Sequence, residues 1–409
     1  MNVKTVRWID KHLGRPICFF LTLYRKIHDL FVKKKVVNRD CAGILFIKLI
    51  EQGSTILAYS AFKKAAGMAG KENTYFMTFK ENRPAMDILE IIPPSNVIEI
   101  DPRTPASFIT SAIKALIKIR QLKIDAVIDM EFFARASAIL AFLSGADKRV
   151  GLHIFAGEGP YRGDLFTHRL IYNPHRHTKE SFLNLAKALN HVPPANNAPM
   201  SFETTGTNDD SPRFDPSDDM KNLLKKKVED LTSSPLNGPV IIFNPNTGDL
   251  LPSRKWPEEN FIKLGEMISA DFPRAKILIT GTLREKEKAD NMASRITNAV
   301  SLAGRTTLKE LLTLYHISDI LVTNDSGPAL FSTLTPINSI ILFGPETPFL
   351  YGAPGKTAGI IASTLACSPC ANVYNHRKAL CDIGTCMTTI KAETVYGKVK
   401  SILETKKQL

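Results

Sequence analysis

A short polar turn between two apolar segments holds the residues whose types best suit chemistry. Residues 321–345 read LVTNDSGPALFSTLTPINSIILFGP, which predicts a strand, a tight turn, a helix and a second strand. In such a unit the first N–H groups of the helix are unpaired at the carboxyl end of the strand, where they suit a diphosphate. Asp325 and Ser326 can hydrogen-bond sugar or phosphate oxygens, and Gly327 permits a close backbone approach. A simple helix cap formed by Asp325 and Ser326 is the alternative.

Other polar turns follow predicted strands in the same way. They are residues 244–247, Gly281 and the turn at 51–54. Because ligands of parallel sheets bind outside the carboxyl ends of the strands, we expect these turns to line binding sites.

The elements that position these turns alternate along the chain. Strands are predicted at 43–48, 74–79, 96–100, 125–130, 239–243, 276–280, 320–323 and 339–343. Helices are predicted at 54–69, 84–91, 105–122, 135–144, 178–189, 217–230, 257–270, 284–296 and 308–316. Apolar strands alternating with amphipathic helices indicate parallel sheets covered on both faces. Since 409 residues exceed one compact core, we predict an α/β protein with two Rossmann-like, doubly wound domains that face a cleft.

A change of composition separates the two halves. Residues 192–215 are rich in Pro, Asn, Asp and Thr, as linkers are. The predicted organisation is a basic segment at 1–40, a first domain at 41–195, a linker with a lead-in helix at 196–236, a second domain at 237–390 and a C-terminal helix at 391–409.

Positive charge is concentrated at the N-terminus. The chain carries a formal net charge of +13, and residues 1–35 hold nine Lys or Arg against two Asp. No basic, aromatic-rich motif follows, so we predict no nucleic-acid partner. Apolar residues recur at helical spacing from 17 to 31, in a stretch whose apolar run is too short for a signal peptide or for the ~20 residues of a membrane span. We predict an amphipathic helix on an anionic membrane surface, with a helix packed on the protein's own body as the alternative.

Cysteine and histidine give two further predictions. Four cysteines lie within twenty residues, at Cys367, Cys370, Cys381 and Cys386. Their spacing permits a tetrahedral zinc site, and a reduced structural loop is the alternative. His177, just before a predicted helix, either caps that helix or contacts a substrate.

Four ordered motifs carry a resemblance to a known family. They are NPNTGDLLPSRKWPEENF (244–261), LITGTLREKE (278–287), LAGRTTLKELL (302–312) and TNDSGPALFST (323–333). Together they resemble the lipopolysaccharide heptosyltransferases, family 9 of the glycosyltransferases, over roughly residues 42–390. The resemblance implies a GT-B fold and an inverting, metal-independent sugar transfer. The implied donor is a nucleotide diphosphate sugar, with an ADP-sugar favoured, and the implied acceptor is a lipid-linked glycan of the lipopolysaccharide core or a related kind. No cofactor is expected beyond the donor.

The resemblance also assigns site residues. Arg254 matches the family's basic residue before its W-P motif, where a guanidinium can bind the leaving diphosphate. The remaining implied donor-binding residues are Asn246, Thr247, Gly281, Glu285, Thr306, Thr307, Asp325, Ser326 and Gly327. Gly53, Ser54 and His177 are the predicted acceptor-binding residues.

Two positions depart from the family pattern. Leu330 stands where the family has a His, and Gly53-Ser54 replaces the Gly-Asp whose Asp is the family's expected base. A serine without an adjacent base cannot accept a proton at neutral pH. Glu51 in the same turn and Glu131 at the end of the fourth strand are the carboxylates predicted to replace it.

These observations favour a glycosyltransferase on the cytoplasmic face of the bacterial inner membrane. The alternative is a GT-B-like protein that binds a nucleotide sugar or a glycan without transferring it. A dinucleotide-dependent oxidoreductase is disfavoured, because no G-x-G-x-x-G follows a predicted strand.

Overall fold

The computed structural model divides the chain into two compact units. It describes residues 3–31, 40–155, 160–194, 198–203, 211–353, 358–379, 381 and 384–408. The first unit comprises Met1–Asp210 with Val373–His376, and the second comprises Ser211–Asn372 with Arg377–Leu409.

The first unit is built on one parallel six-stranded sheet. Its strands are β1 (Ile44–Ile47), β2 (Thr74–Phe79), β3 (Val97–Ile100), β4 (Ala126–Asp129), β5 (Lys148–His153) and β6 (His168–Ile171). The order is β3-β2-β1-β4-β5-β6, so the direction of winding reverses between β1 and β4. In such sheets the crevice outside the carboxyl ends of the two strands at the reversal is where ligands bind.

Helices cover both faces of this sheet. They are α1 (Val3–His12), α2 (Gly14–Phe31), α3 (Ser54–Leu57), α4 (Tyr59–Ala69), α5 (Arg83–Leu89), α6 (Pro105–Gln121), α7 (Arg135–Leu143) and α8 (Thr178–Ala188). On one face Leu45 and Ile47 of β1 join a hydrophobic core with residues of α2, α6 and α7. On the other face Phe46 contacts Phe62 of α4 edge to face. The period-2 alternation of a strand produces this division, since successive side chains point to opposite faces.

Both N-terminal helices dock on the first unit through polar contacts, and α2 also docks through Cys18 and Leu21 of the hydrophobic core. Asp10 of α1 accepts hydrogen bonds from the backbone N–H groups of Arg135 (2.8 Å) and Ala136 (3.0 Å), at the N-terminus of α7. Arg25 of α2 forms an ion pair with Asp164. Gly14 lies so close to Arg135 that an added Cβ would be 2.8 Å from that residue's Cβ. Among the described residues, no helix is long and apolar enough to cross a membrane.

The second unit repeats the architecture. Its strands are β7 (Val240–Asn244), β8 (Lys276–Ile279), β9 (Ala299–Ser301), β10 (Ile320–Asn324), β11 (Asn338–Phe343) and β12 (Ala358–Ala362). They are parallel in the order β12-β11-β10-β7-β8-β9, with the reversal between β7 and β10. Its helices are α9 (Asp218–Thr232), α10 (Glu258–Asp271), α11 (Lys286–Ser294), α12 (Leu308–His316), α13 (Gly327–Ser332), α14 (Pro348–Tyr351), α15 (Thr385–Thr388) and α16 (Ala392–Gln408).

Trp256 fixes the loop after β7 to the core of the second unit. Its side chain is fully buried and packs edge to face on Phe261, and its indole N–H donates to the carbonyl of Ile390 at 2.9 Å. Its backbone N–H donates to the side chain of Asn324, at the end of β10, at 3.0 Å. These contacts hold the segment that carries Arg254 against the carboxyl end of the sheet.

The predicted fold class is confirmed, with local differences. The helix predicted over 54–69 is two helices, α3 and α4, separated at Ala58. Strands β5, β6, β9 and β12 were not predicted, and β5 and β6 lie between residues 144 and 178, where no strand or helix was expected. These strands lie toward the edges of their sheets, where polar residues such as those of KRVGLH (148–153) are tolerated and the apolar signal is weak.

Candidate functional site

Each sheet carries buried charged groups at the carboxyl ends of the strands that flank its reversal. In the second unit the groups are Arg254, Asp325 and Glu346, which follow β7, β10 and β11. Burial of three charged side chains is costly unless they pair with one another. Their shared position, at three adjacent strand ends, is the place where such sheets bind ligands, and we take it as the candidate binding site.

Arg254 is the centre of this cluster. It is 7% exposed and ends a short 3₁₀ turn after β7. Its Nη1 donates to Glu346 Oε2 at 3.1 Å, and its Nη2 donates to the carbonyl of Thr247 at 3.0 Å. The same Nη1 lies 3.6 Å from Asp325 Oδ2. The guanidinium is therefore held in one orientation by two acceptors.

Asp325 is held in an environment that disfavours its charge. The pKa of Asp325 is raised to about 7, chiefly by burial; Arg254 opposes the rise and the charge of Glu346 adds to it. Its Oδ2 is buried and has no hydrogen-bond partner among the described residues. A carboxyl group of this kind can donate a hydrogen bond when protonated and can accept one when ionised.

Glu346 and Arg377 are members of the cluster that sequence reasoning missed. Arg377 Nε donates to Glu346 Oε1 at 2.6 Å, and its Nη2 donates to Oε2 at 2.8 Å. The only signal for Glu346 is its place directly after the strand and the Gly344-Pro345 turn. Arg377 belongs to a loop without a regular pattern, so no local signal pointed to it.

The other predicted donor residues of the loops after β7 and β8 lie together. An added Cβ on Gly281 would be 2.9 Å from Asn246 Nδ2 and 3.1 Å from Glu285 Oε2, so these three residues adjoin. The side chain of Asn246 points toward the carbonyl of Thr280, at 3.4 Å. Glu285 accepts from the N–H (2.7 Å) and the hydroxyl (2.9 Å) of Thr282, which makes it part of a capping box.

The predicted residues at helix starts have mixed roles. Thr307 caps α12 through a capping box with Glu310, accepting from its N–H at 3.2 Å, and Thr306 beside it is half-buried. Ser326 does not cap α13 with its side chain, which lies 3.3 Å from the Thr323 hydroxyl. Gly327 begins α13, and Leu330 on that helix is buried at 8% exposure.

In the first unit Glu131 has the contacts of a structural group. It is 2% exposed, and its Oε1 accepts from the backbone N–H groups of Leu49 (2.6 Å) and Ile50 (2.9 Å). The buried ammonium of Lys48 lies 3.6 Å from the same oxygen. Burial raises the pKa of Glu131, and Lys48 opposes the shift. These contacts fix the loop after β1 to the end of β4.

Glu51 lies in the same loop with a different environment. Its backbone adopts a left-handed conformation, with φ of +63°, which is uncommon for a residue with a side chain and marks strain. Its side chain is 20% exposed, and its Oε2 lies 3.9 Å from Lys48 Nζ. The hydroxyl of Ser54 donates to the carbonyl of Glu51 at 2.8 Å, so Ser54 is engaged in closing this turn.

An ion pair beneath this loop was also missed. Asp129, the last residue of β4, is fully buried and pairs with Arg162. It also accepts from the Ser137 hydroxyl at 2.9 Å and from the Glu131 N–H at 2.9 Å. Arg162 lies in a segment predicted as a loop, and nothing in the local pattern pairs it with β4.

The remaining residues predicted to bind a substrate or a metal have local structural roles. The Nδ1 of His177 accepts from the N–H of Lys179 at 3.1 Å and so caps α8, which is the alternative left open by the sequence. Among the described residues, no three His, Cys, Asp or Glu side chains gather to hold a metal, so the predicted zinc cluster is not found. Cys386 is buried in the core beside Met387, and burial raises the pKa of its thiol, as do Cys381 and Cys370 to a smaller extent.

Two doubly wound units, each on a parallel six-stranded sheet, are the architecture of the GT-B fold. The fold is similar to that of the Escherichia coli ADP-heptose heptosyltransferase II, with a TM-score of 0.67 and 17% identity over 89% of this chain and 99% of that one. It is also similar to the Escherichia coli heptosyltransferase WaaC with ADP, with a TM-score of 0.59 and 16% identity over 88% of this chain and 99% of that one.

The family is shown by sequence. The model of glycosyltransferase family 9 (heptosyltransferase) matches residues 113–380, and the chain belongs to this family. A lipooligosaccharide heptosyltransferase 2 of Campylobacter jejuni is 28% identical over 160 residues, which is 37% of this chain and 47% of that relative. The match thus spans about half the length of the relative. The resemblance noted from the four motifs is confirmed.

Proposed function

We propose that this protein transfers a sugar, heptose or a related one, from a nucleotide diphosphate donor to a lipid-linked glycan acceptor of the lipopolysaccharide-core kind. The observation that supports the proposal most is the buried Arg254 at the reversal of the second sheet, oriented by Glu346 and by the carbonyl of Thr247. A fixed guanidinium at this place suits a diphosphate, which it binds through charge-assisted hydrogen bonds.

An ADP-sugar is the favoured donor. Among relatives of the same fold, one is described with ADP and another as an ADP-heptose enzyme. In this chain Asn246, Gly281 and Glu285 adjoin at the carboxyl end of β8, and we assign them to the nucleoside side of the donor. Transfer is proposed to need no metal, because Arg254 supplies the positive charge that the leaving diphosphate requires.

We assign the proton acceptor to Glu51. In an inverting transfer the acceptor hydroxyl attacks the anomeric carbon, the bond from that carbon to the diphosphate oxygen breaks, and the hydroxyl proton passes to a base. The diphosphate leaves with the bonding electron pair. Glu51 is exposed enough to meet a substrate, whereas the buried Glu131 is already used by two backbone N–H groups.

The membrane is the proposed second partner. Helix α2 docks through Cys18, Thr22 and Arg25 and leaves Phe20, Tyr24, Ile27 and Phe31 exposed on the opposite side. An apolar face directed away from the body, with basic residues nearby, is the arrangement of a helix that lies in a bilayer interface. We place the protein peripherally on the cytoplasmic face of the bacterial inner membrane, where lipid-linked acceptors would be reached.

The donor assignment is tested with Arg254→Ala. We expect this variant to bind ADP about 10- to 100-fold more weakly than the wild type, because a charge-assisted contact to phosphate is lost, and to bind adenosine unchanged. Isothermal titration of both ligands measures this, with the exposed Arg274→Ala as the matched control. Equal weakening for ADP and adenosine would place Arg254 away from the diphosphate.

Transfer itself is tested with a panel of ADP-sugars and UDP-sugars and a lipid-linked glycan, with the glycosidic product followed by mass spectrometry. Binding of a nucleotide sugar without any product would favour the alternative, a binding protein without transferase activity. The observation that favours this alternative is that Ser54 and Leu330 stand where the resemblance implies an Asp and a His.

A further inference from the structure

Glu346 holds two guanidinium groups at once. Its side chain is 1% exposed, and it lies three residues after the end of β11. Arg377 binds both of its oxygens, at 2.6 and 2.8 Å, whereas Arg254 shares one of them at 3.1 Å. Arg377 therefore forms the bidentate pair, and Arg254 makes the single contact.

Arg377 is fixed from several sides. Its backbone is in the left-handed region, with φ of +52°, and its N–H donates to the carbonyl of Asn372 at 2.7 Å. Its guanidinium lies over the ring of Tyr351, 4.9 Å from the centroid. A side chain constrained in this way is a poor candidate for moving to a ligand and a good one for holding a neighbour in place.

The charges of the cluster show what this arrangement achieves. A bidentate arginine neutralises Glu346, so Arg254 is oriented by that carboxylate without being fully neutralised by it. The Nε of Arg254 is buried and has no hydrogen-bond partner among the described residues. Its second acidic neighbour, Asp325, lies at 3.6 Å, and burial disfavours the ionised form of that carboxyl. Arg254 thus retains positive charge and a donor.

We propose that Glu346 and Arg377 are positioning residues for the donor diphosphate: Glu346 orients Arg254, and Arg377 neutralises Glu346 so that the charge of Arg254 is available to the ligand. This inference rests on the proposed donor site. Neither residue needs to contact the diphosphate. They act on the charge and orientation of Arg254, whereas a residue of the other kind would bind the diphosphate directly.

A charge-balanced pair of variants tests the proposal by titration with ADP and with adenosine. In Arg377→Gln the unpaired Glu346 neutralises Arg254, and we expect ADP to bind about 10- to 100-fold more weakly with adenosine unchanged. In the double variant Glu346→Gln/Arg377→Gln both charges are gone, and the side-chain amide introduced by Glu346→Gln keeps a carbonyl that can accept from Arg254. We expect its ADP affinity to return to within about threefold of the wild type. Arg274→Gln is the exposed control.

The outcomes of these titrations distinguish a positioning role of Arg377 from a direct contact with the ligand. If the double variant binds ADP as weakly as Arg377→Gln, Arg377 contacts the ligand or supports the fold, and the proposal is overturned. If Arg377→Gln does not fold, Arg377→Lys replaces it, because lysine keeps the positive charge. The proposal requires Arg377→Lys to bind ADP within about threefold of the wild type, and a larger loss of affinity overturns it. If the wild type binds no nucleoside diphosphate, the proposed donor site fails first, which is a separate result.

Discussion

At the scale of single residues, Asp325 makes stability at the proposed donor site depend on pH. Burial raises its pKa to about 7, well above the value near 3.9 of an unfolded chain. Between these two values the folded state binds more protons at Asp325 than the unfolded state does. The contribution of Asp325 to stability is therefore most favourable at low pH and declines as pH rises toward about 7.

Asp325→Asn should remove this dependence. As pH rises from about 4.5 to about 8, we expect the melting temperature of Asp325→Asn to rise relative to the wild type and then to level off above about pH 7. One pKa unit corresponds to about 1.4 kcal/mol, so the whole effect is of the order of a few kcal/mol. Thermal melts across this range measure it, with the exposed Asp249→Asn as the control. Parallel curves for Asp325→Asn and wild type would contradict the proposed environment.

Variants of Glu51, after β1, and Glu131, after β4, distinguish the proposed catalytic role from a structural one. Glu51→Gln keeps the shape of the side chain and removes the proton acceptor, so turnover should fall by ~10²–10⁴-fold with nucleotide binding unchanged. Glu131→Gln should instead lower the melting temperature, because Lys48 and two N–H groups lose a charged partner. Single-turnover kinetics measure the change in turnover, and thermal melts measure the change in melting temperature. If Glu51→Gln kept normal turnover and a folded Glu131→Gln lost turnover, Glu131 would be the base and Glu51 the structural residue.

At the scale of elements, the direction in which α2 docks decides between membrane contact and core packing. In the part of the chain that the structure describes, 22 large apolar side chains are exposed, and ten of them lie from Trp8 to Phe31 inclusive. Inward, α2 presents Thr22, which accepts from the N–H of Asp164 at 2.9 Å, and Arg25, which pairs with the same residue. The buried Cys18 also joins the hydrophobic core of the first unit, so this side of the helix is docked and the exposed apolar side is left to another partner.

A triple variant of the outward face tests this partner. Phe20→Ser, Tyr24→Ser and Ile27→Ser together leave the docking contacts intact, and we expect the protein to stop sedimenting with vesicles containing anionic lipid. The matched control changes three exposed apolar residues of the second unit to Ser, namely Leu223, Leu283 and Phe349. Since basic residues near a bilayer contribute about 1 kcal/mol each, wild-type binding should also weaken with salt. Undiminished sedimentation of the triple variant would assign the apolar face to another role.

At the scale of the whole molecule, the two units repeat one plan with different charges. Each has a six-stranded parallel sheet with ionic groups at its reversal. The first carries Lys48, Glu51 and Glu131 with the Asp129–Arg162 pair, and the second carries Arg254 and Arg377 with Asp325 and Glu346. Under the proposed function, a carboxylate of the first site takes the acceptor proton and Arg254 of the second binds the diphosphate.

The sequence alone determined the class of fold, because alternating apolar strands and amphipathic helices are local patterns. It also determined the family and the turns that bear Arg254, Asp325 and Glu51, since a strand end followed by a polar turn can be recognised locally. It did not reveal the edge strands β5, β6, β9 and β12, whose residues are held mainly by pairing with a neighbouring strand rather than by an apolar pattern of their own.

Only the tertiary structure decided which charges meet. Arg254 and Glu346 are 92 residues apart, and Asp129 and Arg162 are 33 apart, so no local pattern pairs them. The structure also decided which side of α2 docks on the first unit and that Glu131 accepts from two backbone N–H groups. The physical reason is the same in each case. Composition and period report how apolar a segment is, whereas the partner of a buried charge depends on which distant segments the packed sheets bring together.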